Sequence, residues 1–498
     1  MFSSMKTLSL KRFISLHLSK GFPLTIYAFT LLYIVFPNGP KTLMGVTNLP
    51  LNASPEEIRK AWGPGDAGSL LEVAISWSKL EQLDPVTQFW IVHLWAPGLA
   101  ILEVPLIWIS NIFEVPLFWS LTFLTVSAVI GVSLVFKSIV RSSLETFVIG
   151  IIAVALLLSW DLTYILRDGV FYTEGIGYSL LLAGLGIMSL NILRTETRSI
   201  KPVILSGVLI GTSIWIRHVS DNGLILLTSL ASIIFLTLYI RHGKKLKSVT
   251  KSRKKLKVQN PTKSVKIILA TSFIAIAVTI PWRIVSQTVF DGVPLVMSSA
   301  SAGVGEGLWI DEKRDPDYYW IPYNMNWACN IDQIKCNSIN NLSTPLPNSE
   351  KTIEAIKSAI KNPVGYFLER GNFLFQTWIP GFNSTASIIW KTTAVIPILM
   401  SFLIVFFLVR IRDRKKWYLL LVWLPFIVML IGQLLIIHFE SRYFIPLRLL
   451  IVGLFISILN LFLVENSKYI IYFESIKNKF VNSLGKSKQQ IESQQNEY

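Results

Sequence analysis

Nine stretches of this chain are apolar for nearly the roughly 20 residues that a helix needs to cross a bilayer. They are centred on Tyr27–Phe36, Leu117–Phe136, Phe147–Trp160, Ile176–Leu193, Leu224–Ile240, Ile267–Pro281, Ile388–Val409, Trp417–Ile437 and Tyr443–Val464. Helices are the expected form, because a membrane barrel would show short alternating segments instead. Composition agrees. The 498 residues are 52% hydrophobic and 15% charged, with mean hydropathy +0.52, whereas soluble domains are about a quarter charged. A soluble fold is excluded.

The net charge of +17 gathers in 241–266, in short loops and in the tails. Lys and Arg favour the cytoplasmic side of a membrane. The run 241–266 holds no aromatic residue, which argues against nucleic acid as a partner; anionic lipid headgroups are the secondary contact that fits. Placing Arg194–Lys201, Arg241–Lys266, Arg410–Lys416 and the tail after Val464 inside puts Arg217–Asp221, Trp282–Ser387 and His438–Arg442 outside. The basic residues Lys6, Lys11, Arg12 and Lys20 then hold the amino terminus inside, with Pro37–Leu94 outside.

Lys137 and Arg141 reach the inside only if Pro97–Phe113 does not cross. That stretch is short, carries Glu103, Pro105 and Asn111, and is followed by Glu114 and Pro116. It reads as interfacial or re-entrant, which is tolerated where protein or water lines it. The expected fold is an all-α polytopic membrane protein of about ten transmembrane helices plus this segment. Two extracytoplasmic loops would form a small α-rich cap. The division is 1–281, an N-terminal transmembrane module with a first outer loop at 38–96; 282–386, a large outer loop; 387–464, C-terminal transmembrane helices; and 465–498, a cytoplasmic tail. The first apolar run lacks a small-residue cleavage site and reads as a retained helix. No internal repeat is visible, which speaks against an inverted-repeat transporter.

In the first outer loop Leu70, Leu71, Val73, Ala74, Trp77, Leu80 and Leu83 recur at helical spacing after Asp66. A helix there is suited to the membrane surface. In the second, Gly303–Cys336 is irregular and rich in aromatic and acidic residues, and a helix over Ser349–Lys361 breaks at Asn362–Pro363 and resumes through Trp378. Trp309, Tyr318, Tyr319, Trp320, Tyr323 and Trp327 suit either stacking on sugar faces or an interfacial belt. The chain's two cysteines, Cys329 and Cys336, lie in this loop, and whether they pair stays open.

On this topology a mixed acid–base set converges on the outer face: Asp66, His93, Glu103, Arg167, Asp168, Glu174, Arg217, His218, Asp221, Arg283, Glu440 and Arg442. Ionisable groups in apolar surroundings are functional candidates by default. The layout is that of a reaction centre at a membrane face.

Several short pieces, in one order along most of the chain, then carry a resemblance. They are Gly63-Pro64-Gly65-Asp66, His93-Leu94-Trp95-Ala96-Pro97-Gly98, Arg167 to Glu174, Ser206-Gly207 through Gly211 to Arg217, Ile280-Pro281-Trp282-Arg283, and Glu440-Ser441-Arg442-Tyr443 with Pro446. Together they resemble the GT-C superfamily of multi-spanning glycosyltransferases that use polyprenyl-phosphate sugars. The likeness is to the family 39-type group of protein O-mannosyltransferases and aminoarabinose transferases. It implies transfer of a sugar from a lipid phosphate to an acceptor hydroxyl or amine. The short loops and the lack of a recognisable eukaryotic retention signal favour a bacterial inner membrane, with the site facing the periplasm. The resemblance places Asp66 as the general base, with N-capping of the following helix as the competing use. The leaving phosphate calls for guanidinium donors, first Arg442, then Arg217 and Arg283, each of which also suits a salt bridge at a helix end. Glu174, Asp221 and Glu440 would orient these arginines or bind sugar hydroxyls. His93 suits an auxiliary base or a satisfied interfacial histidine. No His/Cys spacing marks a metal site, so no cofactor is assigned, and magnesium or manganese stays open. The sugar, and whether the acceptor is protein, lipid or glycan, also stay open. A lipid-linked saccharide transporter or flippase and a non-catalytic membrane scaffold are the rival classes.

Overall fold

The computed structural model describes residues 53–62, 66–83, 87, 96–139, 161, 173–194, 199–218, 220–248, 262–289, 388–436 and 444–466, with positions 360, 363, 364, 368, 374 and 378. Every element in this set is an α-helix: α1 Pro55–Trp62, α2 Asp66–Ser78, α3 Gly98–Phe113, α4 Leu117–Ile139, α5 Thr173–Leu193 and α6 Lys201–Ile216, then α7 Ser220–Ser248, α8 Thr262–Val289, α9 Ile388–Arg410, α10 Lys415–Ile436 and α11 Ile445–Glu465. Seven of them, α4, α5 and α7 to α11, are long and apolar enough to cross a bilayer. The chain is an all-α integral membrane protein. Of the other expected crossings, α6 is a shorter apolar helix of 16 residues; the runs at 27–36 and 147–160, like the cysteines, lie outside the described residues.

Local chemistry sets the short helices. Ser54 and Glu57 form a capping box before α1. The Ser54 backbone N–H and hydroxyl donate to Glu57 Oε2 at 2.7 and 3.0 Å, and the Glu57 N–H returns to Ser54 Oγ at 3.3 Å. Those donors hold the Glu57 carboxyl below its usual range. Helix α2 stops earlier than its apolar spacing implies. Leu80 sits in the left-handed region with φ 59°, its N–H bonds to Trp77 O and that of Glu81 to Ser76 O. This double closure is a Schellman ending, and it turns Leu80 out to 90% exposure. The remaining stripe, Leu70, Leu71, Val73 and Ala74, is buried against protein, with α1 and α3 as the packing partners of α2. Helix α3 ends at Phe113, with Glu114 in the left-handed region at φ 55°, and Val115, which precedes Pro116, is pushed away from helical geometry.

Helix α5 is the hub. Its membrane window is 89% buried, against 22% for α7 and α9, and it packs on α4, α6, α8, α10 and α11. Without water to drive burial, membrane helices associate through close backbone approach at small residues. The pair Gly207 and Gly211 does this for α6 on α8. A Cβ on Gly211 would stand 2.6 Å from Val278 Cβ and 2.8 Å from Ala275 O, and one on Gly207 would stand 2.8 Å from Thr271 O. Beyond α5, the indole of Trp423 in α10 is fully buried, donates to Ser189 Oγ at 2.9 Å and stacks on Phe136 of α4 with centroids 6.3 Å apart.

Hydrogen bonds sort the helix ends into two sets. At one end Arg194 donates to Ser138 O, Asn460 to Ile139 O at 2.8 Å and Lys415 Nζ to Leu193 O at 2.9 Å. Glu465 Oε2 accepts the N–H groups of Arg412 and Asp413 at 2.9 and 3.3 Å. The carboxyl ends of α4, α5, α9 and α11 therefore share one end with the basic connections 194–201 and 410–416. Helix α6 starts there at Lys201 and finishes at the opposite end. There Gly98, which opens α3, lies against Trp215 and Ile216, and Phe113 leads through 114–116 into the start of α4. Both ends of α3 thus lie at the end opposite the basic connections.

Two boundaries differ from expectation. Helix α8 continues through Pro281 to Val289, so the division at 281 falls inside a helix; membrane helices tolerate proline because neighbours make good the missing bond. Helix α7 reaches Ser248 and α8 begins at Thr262, so part of the basic run 241–266 is helical.

Candidate functional site

The turn joining α6 to α7 brings two ion pairs together. On one side Arg217, just past α6, meets Glu174 in the first turn of α5, with Nη1 3.1 Å from Oε1. Its Nε donates to Tyr178 Oη at 2.7 Å, its Nη1 to Thr173 Oγ1 at 2.7 Å, and its guanidinium lies 5.7 Å from the Tyr178 ring centroid. On the other side Asp221, in the first turn of α7, accepts Arg283 Nη2 at 2.5 Å, while Arg283 Nε donates to Thr279 one turn back on α8 at 2.9 Å. The side chain of Glu174 is fully buried, and those of Arg217 and Arg283 keep 15% and 12% of their surface exposed. At such burial a charge persists only when paired and hydrogen-bonded.

Backbone contacts fix these pairs relative to one another. Trp215 donates its indole N–H to Val278 O at 2.8 Å and its ring lies 6.3 Å from that of Trp282. The α6 end carrying Arg217 is thereby held to the α8 segment carrying Arg283. Gly98 closes the third side. A Cβ there would stand 2.5 Å from both the carbonyl carbon and oxygen of Trp215, so only glycine lets α3 approach. In the same turn His218 is held neutral, its pKa lowered to about 3 by burial and by the Arg217 charge beside it.

Glu174, Arg217, Asp221 and Arg283, four of the residues singled out from sequence, therefore meet at one end of the bundle. Asp66 is the first residue of α2, which packs on α3; its side chain, like His93, Glu440 and Arg442, is outside the described set. Tyr178 and Thr173 were not foreseen, since nothing in the sequence distinguishes them from other polar residues in an apolar helix.

A second polar node was also missed. Arg448, in the first turn of α11 and 1% exposed, holds Asp161 in a two-point contact, Nε to Oδ2 at 2.7 Å and Nη2 to Oδ1 at 2.5 Å. Its Nη1 donates to Trp378 O at 2.8 Å, and Trp378 donates in turn to Ala394 O of α9 at 2.9 Å. The available signal was Arg448 itself: an arginine inside an apolar run requires a buried partner. Among the described residues no group of three His, Cys, Asp or Glu side chains is placed to hold a metal ion.

No family model matches the chain, and no match to it is found among curated proteins or solved structures.

Proposed function

We propose that the chain is a membrane glycosyltransferase that moves a sugar from a polyprenyl-phosphate donor to an acceptor at the extracytoplasmic face. The observation that carries this reading is the gathering of Glu174–Arg217 and Asp221–Arg283 around one turn, at the end opposite the basic connections. Positive-inside placement makes that end extracytoplasmic, and the position of both ends of α3 there supports an interfacial helix and about ten crossings.

The acceptor oxygen or nitrogen attacks the anomeric carbon. The bond from that carbon to the phosphate oxygen breaks, and the polyprenyl phosphate leaves with the electron pair. Asp66 takes the acceptor's proton, and configuration at the anomeric carbon inverts. Arg217 and Arg283, oriented by their carboxylate partners, and Arg442 stabilise the leaving phosphate through charge-assisted donors. Glu440 and His93 support the same face.

The test offers labelled polyprenyl-phosphate mannose, glucose and aminoarabinose to membranes holding wild type or Asp66→Asn. Transfer from one donor is expected, falling by about 10²–10⁴ in the variant. Unchanged transfer in the variant removes Asp66 as base, and no transfer from any donor by wild type removes the enzyme reading.

The buried Asp161–Arg448 pair favours one rival, a lipid-linked saccharide transporter, since ionisable groups inside a bundle mark transport paths. Donor flipping in sealed vesicles without sugar transfer would select it.

A further inference from the structure

The turn joining α9 to α10, at the end of the bundle away from the ion pairs above, holds Arg410, Arg412, Arg414, Lys415 and Lys416, with Asp413 as the one acid among them. The lysines and the acids there are directed at the main chain. Lys415 Nζ donates to Leu193 O at 2.9 Å, at the carboxyl end of α5, and Lys416 Nζ donates to Leu408 O and Ile411 O at 2.8 and 2.6 Å, at that of α9. Carbonyls at a helix end have no partner within the helix. Asp413 Oδ1 accepts the Lys415 N–H at 2.9 Å, and Glu465 of α11 accepts those of Arg412 and Asp413. The guanidinium groups are left over. Among the described residues the side chains of Arg410, Arg412 and Arg414 make no ion pair and no hydrogen bond; that of Arg410 lies over the Phe406 ring, 4.7 Å from its centroid.

Burial alternates along this turn. Arg410, Arg412 and Arg414 are exposed, Ile411 is buried and Asp413 is half-buried. Two residues of chain span at most about 7 Å, so the three exposed arginines follow one another closely. An apolar surface adjoins them. Phe402, Val405, Phe406 and Val409 of α9 are exposed and recur at three- and four-residue spacing, the spacing of one helix face. Trp417, at the start of α10, is exposed as well, and indoles favour the headgroup level of a bilayer. Positive-inside placement accounts for basic residues at this end. It does not account for acids and lysines being directed to the main chain while three guanidinium groups stay open. A soluble anion would complement the arginines alone. An anionic phospholipid complements the whole surface, its phosphate accepting planar, charge-assisted donors and its chains covering α9.

We propose that Arg410, Arg412 and Arg414 form a site for the phosphate of an anionic phospholipid in the leaflet at this end of the bundle, with its acyl chains along the exposed face of α9. Glu465, Asp413 and the two lysines hold the turn that presents the arginines. The site is separate from the ion pairs of the opposite end and does not rest on the functional reading built on them.

The experiment titrates the purified full chain in neutral micelles with phosphatidylglycerol or phosphatidylcholine and counts bound lipid by native mass spectrometry. Three proteins are compared: wild type, the triple variant Arg410→Gln, Arg412→Gln, Arg414→Gln, and a control with the same loss of charge elsewhere, Arg253→Gln, Lys254→Gln, Lys255→Gln. Wild type and the control are expected to take up phosphatidylglycerol in preference to phosphatidylcholine. One basic residue near an anionic lipid surface strengthens attraction about fivefold, so the arginine variant is expected to bind phosphatidylglycerol about 100-fold more weakly and phosphatidylcholine as wild type does. Inorganic phosphate is expected not to displace the bound lipid. Equal affinity of wild type for the two lipids overturns the site, as does an equal loss in both variants or none in the arginine variant. Displacement by inorganic phosphate shows a site for a free anion and overturns the lipid assignment. Lipid-free unfolding midpoints are expected to agree between wild type and the arginine variant; a lower midpoint, or failure of that variant to fold, gives the guanidinium groups a structural use and overturns the site as well.

Discussion

Replacing Gly211 by alanine tests whether the α6–α8 contact sets the spacing of the two arginines. The added Cβ would stand 2.6 Å from Val278 Cβ and 2.8 Å from Ala275 O. One of those atoms is main chain and cannot rotate away. Restoring ordinary contact near 3.5 Å requires the helices to part by roughly 0.9 Å. Overpacking of this kind costs about 1–3 kcal/mol, while alanine in place of glycine in a helix returns about 0.5–1 kcal/mol. The control is Gly131→Ala on α4, where a Cβ meets nothing within 4 Å and only the favourable part remains. Gly211→Ala is therefore expected to fall about 1–3 kcal/mol below Gly131→Ala in reversible unfolding in mixed micelles. Because α6 carries Arg217 and α8 carries Arg283, the displacement also reaches the candidate site, where an error near 1 Å lowers rate by about 10²-fold. Equal stability of the two variants would mean that α6 and α8 are not in backbone contact, and the assigned spacing would fall.

Removing Arg217 by Arg217→Met strands Glu174 at full burial and is expected to cost about 3–5 kcal/mol, most of it recovered when Glu174→Leu is added; a double-mutant unfolding cycle checks this. His218 is neutral in the folded chain with its pKa lowered to about 3, while an unfolded histidine titrates near 6.5. Below that value the unfolded chain binds the extra proton, so stability is expected to fall from pH 7 to pH 5, and the slope to flatten in His218→Gln, as read from unfolding midpoints. Ser189→Ala leaves the buried Trp423 indole N–H unbonded and is expected to cost about 1–3 kcal/mol; adding Trp423→Phe should remove that part of the loss, measured in the same unfolding assay.

The segment Pro97–Phe113 shows how far the sequence reaches. Its charges, prolines and shortness set it apart from its neighbours, and in the fold both ends of α3 lie at one end of the bundle. Leu80 shows the reverse. Helical spacing included it, but backbone bonds from Leu80 and Glu81 close α2 before it, and apolar periodicity carries no record of such a closure. Pro281 likewise marked a boundary in the sequence, yet α8 runs through it because packing outweighs one missing bond.

The surrounding solvent was legible in the amino-acid order alone. Long apolar runs and segregated basic loops leave a helical bundle in lipid as the only arrangement that satisfies every backbone group, because that requirement acts residue by residue along the chain. Tertiary packing set the partners: Arg217 with Glu174, Arg283 with Asp221, Arg448 with Asp161 at 287 residues' separation, and Glu103 with none among the described residues. Pairing across helices depends on rotation and depth, which small residues such as Gly98 and Gly211 set through contacts that no local pattern encodes.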